Sequence, residues 1–227
     1  MPGGSSPTRH FTVFRVVAAT LLVGVLTGGF FVALTFHKDF TYYESEPYER
    51  AADGPADVLV VYYSRSGHTE TMAREIARRF DADVVRITTE AYSRDFEGWN
   101  EARRDATERA SAEISPATVD LSRYELIFVG SPIWMYRPSP PLWTFVEAND
   151  FHGRPVVLFN TFNSRFKDEH IEEFEQLVQT SNGRFLDHVY VRRGRIYYQL
   201  SGEELIAETR LRLDEREADW RRAMAGD

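Results

Sequence analysis

Between Val16 and Phe36 the chain carries no charged residue. The run, VVAATLLVGVLTGGFFVALTF, is about 21 residues long, close to the ~20 that an α-helix needs to cross the hydrocarbon core of a bilayer. Arg9 and Arg15 stand before it, and His37, Lys38 and Asp39 follow. A cleaved signal peptide wants a shorter apolar stretch and small residues at the cut, whereas this run ends in Val32-Ala33-Leu34-Thr35-Phe36. A core helix without a polar face would be unusual ahead of a polar segment. Length and flanks therefore favour an uncleaved N-terminal transmembrane helix at 16–36, behind a tail at 1–15. Arg9 and Arg15 against Lys38 and Arg50 bias the N-terminus only slightly inward, which leaves the side of the globular part open. Gly24 and Gly28 could let two such helices approach closely, or are glycines scattered in an apolar helix.

Residues 37–56, rich in Tyr, Glu, Pro and Ala, read as an extended polar linker. Residues 57–227 are enough for one α/β domain and too few for two. Lys and Arg number 27 against 35 Asp and Glu, a formal charge of −8, which argues against a nucleic-acid backbone as partner. With no cysteine in the chain, disulfides, thiolate catalysis and cysteine-ligated metal centres are excluded. The six histidines show no zinc-type spacing, and no G-x-S-x-G hydrolase elbow occurs.

From Asp57 onward, strand and helix patterns alternate. Val58–Tyr63 is a continuous apolar run of the kind buried on both faces of a parallel sheet. A helix is expected from Glu70 to Phe80, with Met72, Ala73, Ile76, Ala77 and Phe80 on one face. Further strands are expected at 83–87, at 126–129 ending on Gly130, at 156–159 and at 186–191. Helices are expected at about 100–114, 142–148 and 171–180, the last with Phe174, Leu177 and Val178 inward. Ser201-Gly202-Glu203-Glu204 fits a capping box that opens a final helix running to about Met224, with Leu205, Ile206, Leu213 and Trp220 in its buried stripe. Arg195–Leu200 could extend the fifth strand or form an edge strand. The pattern predicts a doubly wound, five-stranded parallel sheet with helices on both faces. Ligands bind such sheets at the carboxyl ends of the strands.

Three segments lie at those ends. The first, Ser64-Arg65-Ser66-Gly67-His68-Thr69, leads from strand one into a helix. A helix N-terminus presents unpaired N–H groups that attract phosphate, three hydroxyls add donors, and Gly67 permits a close approach or positive φ. The alternative is a turn whose hydroxyl merely caps the helix. Neither the triphosphate pattern G-x-x-x-x-G-K-[ST] nor the dinucleotide pattern G-x-G-x-x-G occurs.

Strand-S-R-S-G-H-T-E-helix resembles the phosphate-binding loop of the flavodoxin family. Gly130-Ser131-Pro132-Ile133-Trp134-Met135-Tyr136 resembles that family's segment beside the isoalloxazine ring, and Pro138, Pro140, Pro141 and Phe145 match the run that follows it. Asn160-Thr161-Phe162-Asn163-Ser164 is a looser match to its third loop, without the usual glycines. The resemblance spans Val58 to about Val191 and implies bound FMN. The implied contacts are Ser64, Arg65, Ser66, Gly67, His68 and Thr69, then Ser131, Pro132, Ile133, Trp134, Met135 and Tyr136, and finally Thr161, Phe162 and Asn163. Trp134 and Tyr136 offer an aromatic face, and the peptide groups of 131–136 and 161–163 offer partners for the ring edge. His68 stands where asparagine is commoner, and Arg65 and Arg137 serve the phosphate, a substrate or only the solvated surface.

The expectation is a membrane-tethered FMN redox protein, an electron carrier or NAD(P)H-dependent, quinone-type reductase, with a redox protein as a further candidate partner. The rival is a flavin-free domain of the same fold acting as an interaction module at the membrane. A third member of the family, an oxidase of a tetrapyrrole precursor, has no feature here that singles it out.

Overall fold

The computed structural model describes residues 7–195 and 198–225, with all their side chains except those of 7–10, 35, 36 and 38–40. The flanking residues Arg9, Lys38 and Asp39 thus contribute backbone only. The chain divides into two compact units, Met1–Phe40 and Thr41–Asp227.

The first unit is one helix, α1 (Pro7–Phe40). Its 34 residues are about 51 Å long at 1.5 Å per residue. Phe11–Leu34 is long and apolar enough to cross a membrane, and none of it is buried in the protein. Its apolar side chains are exposed along the helix, Phe11 and Phe14 about 70%. The helix extends past 16–36 at both ends, and Pro7 occupies a first-turn position where its missing N–H costs nothing.

In the second unit, five parallel strands run β1 (Val58–Tyr63), β2 (Asp83–Ile87), β3 (Leu126–Trp134), β5 (Pro155–Phe162) and β6 (Arg184–Arg192), in the spatial order β2-β1-β3-β5-β6. A two-residue strand, β4 (Arg137–Pro138), folds back antiparallel on β3. The helices are α2 (His68–Phe80), α3 (Phe96–Glu108), α4 (Pro140–Ala148), α5 (Asp168–Thr180) and α6 (Gly202–Ala225). This is the expected doubly wound sheet with a small hairpin added.

The two-residue side-chain period splits β1 between two cores. Leu59, Val61 and Tyr63 face the core that includes α4 and α5, with Phe145, Phe174 and Val178. Val58, Val60 and Tyr62 face the core of α2 and α6, with Met72, Ile76, Leu205, Leu213 and Trp220. Gly130 is fixed by packing: a Cβ there would lie 2.1 Å from the Phe159 ring. The capping box is present, with Ser201 N–H donating to Glu204 Oε2 at 2.7 Å and Glu204 N–H to Ser201 Oγ at 3.2 Å.

Several boundaries differ from expectation; β5 also runs on, to Phe162. Helix α3 begins four residues early because Asp95 accepts from Gly98 N–H at 2.9 Å, and it ends at Glu108 where Arg109 turns left-handed at φ 55°. Residues 109–114 are therefore outside it, and Ser115 pairs with Thr88 instead. Strand β3 does not stop at Gly130 but continues to Trp134, because Ser131 and Pro132 pair with Asn160 and Thr161 of β5. In the segment Arg195–Leu200, residues 196–197 lie outside the described ones, and the other four are not in a strand.

The segment after α1, expected as a polar linker, is extended but packs along α2. Arg74 and Arg78 donate to the carbonyls of Ser45, Glu46 and Pro47 at 2.6–3.1 Å. Tyr48 donates its hydroxyl to the Ala82 carbonyl at 3.0 Å, and Arg50 pairs with Asp83 at 3.2 Å. The tyrosines and the arginine of this segment, read as linker polarity, are its attachments.

Candidate functional site

The chain order reverses between β1 and β3, since β2 lies to one side of β1 and β3 to the other. That reversal opens a crevice at the carboxyl ends of the strands, and the three segments picked out in the sequence meet there.

Gly67 opens α2 at φ 88°, ψ −19°, and no side chain caps the helix. Among the described residues, the first-turn N–H groups meet no capping side chain. The hydroxyls hold the loop in shape. Ser64 Oγ accepts from Gly67 N–H at 3.0 Å, and Ser66 Oγ lies 3.1 Å from His68 Nδ1. Thr69 Oγ1 lies 2.7 Å from Thr161 Oγ1, a buried bond joining the first segment to the third across 92 residues. Each hydroxyl has two acceptor lone pairs and one proton, so one internal bond leaves capacity for a ligand.

Arg65 turns away from this cradle. Its Nε donates to the Tyr92 carbonyl at 3.1 Å and its Nη2 to the Ser93 carbonyl at 2.6 Å. The guanidinium so holds a turn in which Tyr92 sits at φ 64°, in the left-handed region. The Tyr92 ring in turn meets Trp134 edge to face at 5.2 Å, and Tyr63 meets Trp134 at 5.6 Å. Trp134 is half-buried, with part of its ring against the core and part open. It stands at the end of β3, and Met135 and Tyr136 make the two-residue turn into β4, both at positive φ (46° and 72°). Tandem positive φ is the hairpin geometry whose twist matches the strands it joins. Ile133 pairs with Pro138 and packs on the core. The Tyr136 ring lies under Arg165 at 5.4 Å, and its carbonyl accepts from Lys167 N–H at 3.0 Å. Arg137 Nη2 lies 3.1 Å from the His170 ring.

The third segment is mostly strand. Asn160, Thr161 and Phe162 end β5, and Asn163 follows. Asn160 Nδ2 donates to the Ser131 carbonyl at 2.7 Å, and its Oδ1 lies 2.9 Å from His188 Nε2, tying the second segment to β6. The buried amide accounts for this stretch keeping its line without glycine.

Two groups come from beyond the expected segments. Arg193, just past β6 and 5% exposed, donates from Nε to Asn163 Oδ1 at 3.1 Å, and its Nη1 lies 2.7 Å from His68 Nε2. Burial, then the Arg193 charge, lower the His68 pKa to about 3, so the imidazole is neutral. Tyr43 stacks on that ring at 5.5 Å. No pattern in the sequence marks Arg193 or Tyr43, because each reaches the loop only through the fold. Among the described residues no cluster of potential metal ligands occurs.

A family model described as flavodoxin matches residues 57–193. Solved structures are similar in fold. A flavoprotein in complex with FMN from Lactobacillus acidophilus NCFM is 21% identical, with 60% of this chain and 93% of that one covered and a TM-score of 0.52. A flavoprotein from Bacteroides uniformis ATCC 8492, described there as putative, is also 21% identical, covering 69% and 99%, again with a TM-score of 0.52. Another from Bacteroides eggerthii DSM 20697, described likewise, is 20% identical, covering 71% and 98%, with a TM-score of 0.50. A search of curated proteins returns no match.

Proposed function

The chain belongs to the flavodoxin family, and on that footing we propose that it is a membrane-tethered FMN-binding redox protein, an electron carrier or an NAD(P)H-dependent, quinone-type reductase. The observation that carries the cofactor reading is the uncapped, left-handed Gly67 at the start of α2, ringed by Ser64, Ser66 and Thr69. The donor set fits a terminal phosphate monoester: backbone N–H groups, hydroxyls and no carboxylate among residues 64–69. The half-open Trp134 and Tyr136 fit the flat ring, and the peptide groups of 131–136 and 161–163 its polar edge.

Bound flavin would supply the electron transfer. The protein's part is to bind and orient the ring and to limit water at its face. Helix α1 supports the tether, being long and apolar enough to span a bilayer. A tether keeps the redox site at the membrane surface, where quinones are the abundant acceptors. The domain boundaries read from the sequence belong to the same proposal: a span at 16–36, a connecting segment at 37–56 and the flavin domain at 57–227.

The test is an absorbance spectrum of the full chain purified in detergent and titrated with FMN. A shifted flavin band with quenched fluorescence is the expected result. A chain that stays colourless at micromolar FMN would leave the fold standing and remove the redox reading in favour of the flavin-free module.

A further inference from the structure

Three consecutive residues of the first segment meet the same residue from outside it. The Ser66 carbonyl accepts from the Tyr43 N–H at 2.9 Å, Gly67 has the Tyr43 carbonyl where its Cβ would go, and the His68 ring stacks on the Tyr43 ring with 23° between their planes. The hydroxyl end of Tyr43 reaches Gly202 at the start of α6 and leaves no room there for a side chain. Its neighbour Tyr42 donates its hydroxyl to Glu70, a buried carboxylate of α2, and lies under Arg86 and Arg94 at 5.5 and 5.2 Å. We propose that Tyr43 is a positioning residue of the phosphate loop, so that the segment after α1 belongs to the cofactor site and its docking and FMN binding support each other. The inference rests on the assignment of residues 64–69 to the phosphate of FMN.

The peptide between Ser66 and Gly67 is the element that Tyr43 controls. A trans peptide is planar, with its carbonyl and N–H pointing in opposite directions. Tyr43 holds the carbonyl, and Ser64 Oγ accepts from the N–H at 3.0 Å, so the plane is fixed at both ends. The Gly67 carbonyl is taken in turn by the N–H and hydroxyl of Thr71, at 2.9 and 3.0 Å. The Ser66–Gly67 plane therefore sets where α2 starts and which way its first N–H groups open. Gly67, at φ 88° and without a Cβ, would sample many other conformations if Tyr43 withdrew. A loop already held in its binding conformation pays less ordering entropy when the ligand arrives. A phosphate draws on that loop, whereas the ribityl end of riboflavin lacks the group that would. Linkage is reciprocal: the affinity that docked Tyr43 adds for FMN is returned by bound FMN as tighter docking of Tyr43.

The experiment compares FMN with riboflavin on the full chain in detergent, for the wild type, Tyr43→Ala and Tyr43→Phe. Tyr43→Ala is expected to lose about 10-fold in FMN affinity, the scale of one lost aromatic contact, with riboflavin affinity unchanged. Tyr43→Phe keeps the ring and the backbone bond and should bind FMN as the wild type does. Equal losses for both flavins in Tyr43→Ala would make Tyr43 a structural residue and overturn the inference, as would unchanged FMN binding. Should Tyr43→Ala fail to fold, the wild type decides by itself. Saturating FMN should slow hydrogen exchange of the Tyr43 amide by about 10-fold, and riboflavin should not. No effect of FMN, or the same effect from both flavins, overturns the proposal. A wild type that binds neither flavin overturns the cofactor reading itself, and one that binds both equally overturns the phosphate assignment on which this rests.

Discussion

Tyr43 donates its backbone N–H to the Ser66 carbonyl at 2.9 Å, and its own carbonyl lies where a side chain on Gly67 would have to go. A residue from the segment after α1 is thereby built into the wall of the proposed phosphate loop. The contact explains why position 67 has to be glycine twice over. Its φ of 88° disfavours any L side chain, and a Cβ would come within 1.8 Å of Tyr43 O.

Gly67→Ala should therefore act on fold and site together. Positive φ alone costs about 1 kcal/mol, and the displaced Tyr43 adds to it. The expected outcome is a lower denaturation midpoint and FMN affinity reduced at least about 10-fold. Denaturant titration and flavin fluorescence measure the two effects, and an alanine variant with wild-type values in both would refute the loop assignment.

The docked segment should contribute stability of its own. A fragment beginning at residue 53 lacks the bonds that Tyr43, Ser45, Glu46, Pro47, Tyr48 and Arg50 make to the domain. Net contributions near 1 kcal/mol per buried hydrogen bond predict a loss of roughly 2–4 kcal/mol against a fragment beginning at residue 41. Thermal melts of the two fragments test this. Equal midpoints would mean that the segment lies on the domain without holding it.

Arg65 should act on the fold and the ring wall together. Arg65→Ala removes the clamp on the left-handed turn at Tyr92, against which Trp134 packs. Hydrogen bonds from a charged donor are worth about 1.5–3 kcal/mol, so stability should fall by about that amount. FMN and riboflavin affinities should fall in parallel, because the damage reaches the ring wall and not the phosphate. Selective loss of FMN in Arg65→Ala would place that side chain at the phosphate instead.

Trp134→Ala should remove both a ring wall and two edge-to-face partners. Such aromatic contacts are worth about 0.5–1.5 kcal/mol each, which predicts roughly 10-fold weaker FMN binding, less quenched flavin fluorescence and a shifted flavin potential. Unaltered fluorescence and potential would place Trp134 away from the ring.

Acid should destabilise the apoprotein earlier than carboxylate titration would. His68 is lowered to about 3 by burial and by Arg193. His188 is lowered to about 4, by burial and then Arg216, against the opposing pull of Asp187. Both ordinary values are near 6.5, so between about 4 and 6.5 the unfolded chain binds protons that the folded chain does not. Stability therefore falls as pH drops through that window, by up to about 2 kcal/mol per histidine between pH 7 and 5. Urea titrations at the two pH values should show the drop, and His68→Asn should flatten it. An unchanged slope in that variant would mean that His68 titrates normally.

What could be read from the chain was whatever local pattern dictates. The uncharged run at 16–36 reads as a long apolar helix, and Val58–Tyr63 as a strand covered on both faces, because side-chain pattern is a property of neighbours in sequence. Ser64–Thr69 was legible for the same reason, as loop and helix start are contiguous. The two-residue hairpin at Met135–Tyr136 was not, since its positive φ values fall on residues without a turn signature and are imposed by the pairing of β3 with β4. Only the tertiary structure turned Arg65 outward to Tyr92 and brought Arg193 and Tyr43 to His68, across 125 and 25 residues. Those encounters depend on the order in which five strands lie side by side, and sheet order is set by long-range packing that no window of sequence contains.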